Sequence, residues 1–186
     1  ARPGDIIFST GFLGDSRAGL YLILNEIRPD SEELKSLFNA HILPRPYLRE
    51  GRFLAREKGV RAGIDVSDGL SSDLGHILKA SNTGARLWAE KIPVSKSLEK
   101  FCERFGFDPL EYALAGGEDY TLLCTVSQDK ADLIADQYLK TFGQKLYPIG
   151  KITQESEKME LIRPDGQVSP LTSSGWDHFV SCDPLS

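Results

Sequence analysis

Cysteine is scarce in this chain: Cys102, Cys124 and Cys182 are three in 186 residues, widely spaced, with no Cys-x-x-Cys pair and no histidine at zinc-finger distance. That excludes a disulfide scaffold and a structural zinc knot, and leaves buried, reduced thiols as the expectation. Long apolar runs are missing too. No stretch approaches the roughly 20 residues that cross a bilayer, and the opening ARPGDIIFST carries neither a basic leader nor a signal-like apolar block. A cytoplasmic protein without membrane contact is expected. Basic excess is also lacking, with 22 Lys and Arg against 27 Asp and Glu and a net charge of −5. Nucleic acid held through many cation–phosphate contacts is therefore not expected, whereas a small anion carried with Mg²⁺ remains open. The histidines His41, His76 and His178 form no HxxxH or HExxH pattern, so surface or helix-end roles are their default.

What is present is the composition of a domain with a real core, 40% hydrophobic and 26% charged. The length suits one domain. The chain lacks an initiator Met and enters a turn-plus-strand pattern, RPGDIIFST, at once, as expected of a domain from a longer protein. DIIFST (5–10) reads as a buried strand, followed by the glycine-containing loop GFLGDS and a helix from Ser16 to Ile27, with Asp15 or Ser16 as its cap. Asp30 or Ser31 caps a second helix that Pro44 and Pro46 end, and a third covers Tyr47 to Lys58. VRAGIDV is a short strand, and Leu70, Leu74, Ile77 and Leu78 mark a helix that stops near Gly84. ARLWAEKI reads as a strand, 97–105 and 109–114 as helices, and GGEDYTLLCTV as a Gly-Gly break before an apolar strand. Ser127 is expected to cap a helix to Phe142, before short strands at 145–152 and 159–163 around the turn signal RPDGQ. Strands interleaved with helices point to an α/β or α+β layered fold, with helices packed on a mixed sheet.

Two clusters could carry chemistry. In IDVSDGLSSDLGHIL, Asp65, Ser67, Asp68 and Asp73 crowd around one glycine before a helix. Such residues can simply satisfy the orphan N–H groups of a helix start. Yet Asp65 and Ser67 sit two apart at a strand end and project to one side, and Gly69 allows close backbone approach. A hard cation bridging these acids to a nucleotide phosphate at the helix N-terminus is the functional alternative. In LAGGEDYTLL, Glu118 and Asp119 follow paired glycines. They are either solvated acids in a turn or groups that order a ligand or second metal. The loop TGFLGDSRAGL lacks the Lys-Ser/Thr of a phosphate-binding P-loop, which favours a structural turn. Trp176, in the turn-rich SSGWDHF, is either core or an aromatic cover for a ligand ring.

PGDIIFSTGFLGDSRAGL, HILPRPYLREGRFLA, IDVSDGLSSDLGHILKASNTGA, ALAGGEDYTLL and the closing GWDHF resemble successive motifs of the thiamine-monophosphate kinase family, in that family's order. Looser forms of DxSDGL occur in the wider aminoimidazole ribonucleotide synthetase superfamily, including selenophosphate synthetase, and GGEDY beside DxSDGL is what points to the thiamine enzyme. The resemblance implies Mg²⁺-dependent transfer of the ATP γ-phosphoryl group to thiamine monophosphate, giving thiamine diphosphate. It implies that residues 1–186 are a single C-terminal domain whose N-terminal metal-binding and dimerisation partner domain is absent, within a homodimeric enzyme. Residue by residue, it implies Asp65 and Asp68 as Mg²⁺ ligands, Ser67 as an ATP contact, and Glu118 and Trp176 as substrate contacts. An ATP-contacting arginine would fall before Ala1 and is not assigned, and because the N-terminal domain's metal ligands are missing the fragment is expected to be inactive alone. The alternatives are another ATP-dependent enzyme of that superfamily, or a non-catalytic nucleotide-binding or interaction module.

Overall fold

The computed structural model describes residues 1–172. Its strands are β1 (Ile6–Ser9), β2 (Val60–Asp65), β3 (Gly84–Trp88), β4 (Leu122–Val126), β5 (Tyr147–Thr153), β6 (Met159–Ile162) and β7 (Val168–Pro170). They form one sheet in the order β2-β4-β1-β5-β3-β6-β7. Every neighbouring pair is antiparallel except β3 and β6, so the sheet is mixed as expected. The helices are α1 (Asp15–Leu24), α2 (Glu32–Ile42), α3 (Leu48–Leu54), α4 (Leu70–Ser81), α5 (Lys96–Phe105), α6 (Pro109–Ala115) and α7 (Ala131–Phe142).

Side chains alternate across the strands, and that alternation builds a layer on each face. Ile7 and Leu123 turn toward α4, joining Leu70, Leu74, Ile77 and Leu78 in the largest core cluster. Their neighbours Phe8 and Cys124 turn the other way, onto Ile134 and Tyr138 of α7 and Leu54 of α3. A third cluster is built from helices, with Leu22, Leu34, Leu37, Leu98, Phe101 and Tyr112 drawn from α1, α2, α5 and α6. Cys102 and Cys124 are buried and unpaired, as expected, while Cys182 lies outside the described residues. Among the described residues no helix is long and apolar enough to cross a membrane.

Several boundaries differ from the sequence reading. The first helix is capped by the left-handed Gly14, one residue earlier than expected. The third ends at Leu54 because Arg56 and Glu57 donate to Phe53 and Leu54 carbonyls, tightening the chain into turns before Gly59. β3 stops at Trp88, where its ladders to β5 and β6 run out, and Ala89–Lys91 is a short 3-10 turn rather than strand. Ser127 does not cap α7. Its N–H donates to Gly59 O at 2.9 Å and its carbonyl accepts from Lys130 N–H at 2.9 Å, so a turn precedes the helix.

Candidate functional site

The two acidic motifs meet. β2 and β4 pair in register up to Asp65 opposite Leu122, and the pairing continues beyond the strands through the motif loops. Val66 N–H donates to Thr121 O, Tyr120 N–H to Val66 O and Glu118 N–H to Ser67 O, each at 2.8 Å. Glycine makes this approach possible, since a Cβ on Gly117 would stand 2.7 Å from Ser67 O. Glu118 (φ 62°) and Tyr120 (φ 51°) are non-glycine residues in the left-handed region on either side of Asp119. Such strain persists where surrounding bonds over-determine the backbone, and is commonest at functional sites.

A carboxylate clamps each loop. Asp73, on the first turn of α4 and 1% exposed, reaches back so that its Oδ2 accepts from the N–H groups of Ser67, Asp68 and Gly69 at 3.0, 3.0 and 3.1 Å. Three backbone N–H groups of this turn are thus bound by the protein's own anion. Asp119 reaches across the fold, accepting from Gly14 N–H at 2.7 Å and Ser16 N–H at 3.1 Å. The first glycine loop is therefore a helix start capped from a distant segment. Close packing around Asp119 pushes its carboxyl up to about 7 despite those two donors, with Asp15 adding to the rise. Burial likewise raises Asp15 to about 6, offset by the Ser95 hydroxyl that donates to it at 2.6 Å.

Asp65 stands exposed at the end of β2, on the wall of a groove of about 640 Å³ that it shares with Tyr47, Leu48, Gly51, Tyr120 and Leu122. Tyr47 is fixed there by Arg45, whose guanidinium lies 5.0 Å over the ring and pairs with the buried Glu50. Ser67 and Asp68 are half-buried in the clamped turn, and Glu118 is exposed beside it. The fold thus joins Ser67 to Glu118 through backbone, and places Asp65 beside Tyr120. Trp176, like His178, lies outside the described residues.

Sequence reasoning missed Asp119 as a cap, the Asp15–Ser95 bond and His41. A surface or helix-end role is the default for His41, and it does lie in the last turn of α2; what the default does not contain is that its Nδ1 lies 2.9 Å from Ser16 Oγ and 3.3 Å from Glu118 Oε2. These links join residues 25 to 105 positions apart, and no local spacing announces them.

The donors suit a hard cation. Among the described residues Asp65 and Asp68 carry no ion pair to Lys or Arg, and carboxylate oxygens are the donors Mg²⁺ takes. Ligand atoms of Asp68, Asp73 and His76 all lie within 4.8 Å of one another. Only the two carboxylates of that trio match Mg²⁺ chemistry, since an imidazole suits softer ions.

The chain is similar to known proteins along nearly its whole length. The thiamine-monophosphate kinase of Escherichia coli (strain K12) is 38% identical over 182 residues, which is 97% of this chain and 54% of the relative. That of Aquifex aeolicus (strain VF5) is 37% identical over 179 residues, 96% of this chain and 53% of the relative. A solved structure, AaThiL complexed with AMPPCP and TMP, superimposes with a TM-score of 0.77 at 34% identity, covering 96% of this chain and 52% of that one. The chain spans about half the length of the relatives it matches. A family model matches residues 2–162, enclosing both clamped loops and the sheet between them, and the chain belongs to the family it describes: AIR synthase related protein, C-terminal domain.

Proposed function

We propose that this chain is the C-terminal part of a thiamine-monophosphate kinase, transferring the γ-phosphoryl group of ATP to the phosphate of thiamine monophosphate and releasing ADP and thiamine diphosphate. The observation that carries the reading is the hydrogen bond from Glu118 N–H to Ser67 O at 2.8 Å. It sets the residue assigned to the thiamine substrate beside the residue assigned to ATP. Asp65 and Asp68 are the assigned Mg²⁺ ligands, and Trp176 a second substrate contact. The rest of the site comes from an N-terminal domain of the complete protein, a cytoplasmic homodimer.

The acceptor needs little activation, because a phosphate monoester carries about −1.5 to −2 charge near neutral pH and is already a nucleophile. The obstacle is repulsion between two polyanions, which Mg²⁺ held by Asp65 and Asp68 would lessen by supplying positive charge. The chain's own part is positional. Asp73 fixes the turn bearing Ser67 and Asp68, Asp119 ties the GGEDY loop to α1, and the backbone ladder holds the two loops in one register.

In the complete enzyme, Asp65→Asn with Asp68→Asn should lower turnover by more than the about 10- to 100-fold typical of outer partners of a metal, and should raise the Mg²⁺ concentration required. Unchanged turnover and Mg²⁺ dependence would overturn the site. Activity of that enzyme on the substrates of aminoimidazole ribonucleotide or selenophosphate synthesis, but not on thiamine monophosphate, would overturn the substrate. The isolated 186-residue chain should form no thiamine diphosphate.

A further inference from the structure

His41 sits where three segments converge. α2 closes on α1 at Gly19, where a Cβ would stand 2.2 Å from Leu37 O and 2.8 Å from the His41 Cβ, so the imidazole is pressed against the start of α1. Its side chain is 17% exposed, and a single nitrogen, Nδ1, faces both Ser16 Oγ at 2.9 Å and Glu118 Oε2 at 3.3 Å. Ser16 is itself held, because its N–H is bound by Asp119 from the same GGEDY loop. An ionised carboxylate only accepts, so the contact with Glu118 is favourable when Nδ1 carries a hydrogen; Ser16 Oγ is then the hydrogen-bonded acceptor, and Glu118 stands beside it as an ion-pair contact. The alternative, with Ser16 donating to a bare Nδ1, would aim a lone pair at the carboxylate.

We propose that His41 is a positioning residue for Glu118, its imidazole standing against the carboxylate at 3.3 Å and holding it in the orientation that receives the thiamine end of the substrate. The proposal rests on the assignment of Glu118 to that substrate. Glu118 needs such a holder: its side chain is 52% exposed and its backbone is left-handed. A free carboxylate there samples several rotamers, and each binding event must then pay the ordering entropy. His41 is anchored on a helix, and anchored groups orient a site more sharply than loop residues do.

The test uses the complete enzyme and reads KM for thiamine monophosphate, KM for ATP and kcat separately. His41→Leu removes the imidazole and should raise KM for thiamine monophosphate by about three- to tenfold, the range of one modest polar contact, with KM for ATP and kcat nearly unchanged. His41→Asn, whose amide nitrogen can occupy the Nδ1 position, should restore most of the affinity, while His41→Gln should not. Glu118→Gln provides the control. If it leaves KM for thiamine monophosphate unchanged, the substrate assignment fails and the proposal with it. If it raises that KM while His41→Leu does not, the proposal alone fails. In the Glu118→Gln background His41→Leu should have little further effect on KM, and an undiminished effect would show that His41 supports the fold rather than Glu118.

Discussion

The loops at 66–69 and 116–121 solve one problem in opposite ways. Each holds backbone in a tight, glycine-dependent turn, and each is secured by a carboxylate that accepts several N–H groups. For the first loop the carboxylate is local: Asp73 reaches donors four to six residues earlier in sequence. For the second it is remote, with Asp119 accepting from Gly14 and Ser16 across 105 and 103 positions. The local clamp sits on α4 and shapes the loop just before it, so it can form as soon as α4 does. The remote clamp forms only once α1 has docked, so it makes the GGEDY loop report on the packing of the helical cluster. A site assembled from both joins a preformed half to a half conditional on tertiary structure.

The comparison breaks most sharply at Asp73. Asp73→Ala leaves three N–H groups of a largely buried turn without an acceptor, and should cost roughly 3 kcal/mol. For a chain of this size that is a fall in Tm of about 6–12 °C. Asp119→Ala orphans two donors and should cost about 2 kcal/mol. Thermal unfolding of the two variants measures the difference, and a larger loss for Asp119 would reverse the assignment of which loop is intrinsically the better secured. Gly117→Ala probes the seam between the loops. Its Cβ would meet Ser67 O at 2.7 Å, and forcing that contact should cost about 1–3 kcal/mol and spread the ladder. Faster amide exchange at Glu118 and Tyr120 is the expected signature, and unaltered exchange there would show that the seam tolerates a side chain.

The same contrast explains what could be read from the sequence. The strand, turn and helix about Asp65 to Leu78 were legible because strand alternation, turn glycine and helical spacing are local signals, and the mixed layered fold followed from their alternation along the chain. The family resemblance supplied the expected roles of Asp65, Ser67, Asp68, Glu118 and Trp176, which periodicity and spacing left open. What stayed hidden was long-range. Ser127 looked like a helix cap because its type suits one, but its N–H is held by Gly59, an interaction between segments that no window of sequence contains. His41 looked ordinary because its partners lie on α1 and on the GGEDY loop. Strand order was equally out of reach, since β2 lies next to β4 and β3 next to β6 through crossovers whose choice depends on how the helical layers pack.

The last contrast is a pH dependence at the start of α1, where the remote clamp docks. Burial raises Asp15 from 3.8 to about 6 and Asp119 from 3.8 to about 7. A carboxyl whose folded pKa lies above its unfolded value holds its proton more tightly in the native state. Its contribution to stability is therefore complete below about 3.8 and is lost as pH rises through the folded value. Asp15→Asn keeps an acceptor for the Ser95 hydroxyl but removes the titration. The variant's Tm should therefore gain on the parent as pH climbs from about 4 to about 6, then run parallel above it. Curves parallel throughout that window would mean that Asp15 is not strained by burial, and that the contact region around the remote clamp is wetter than its packing implies.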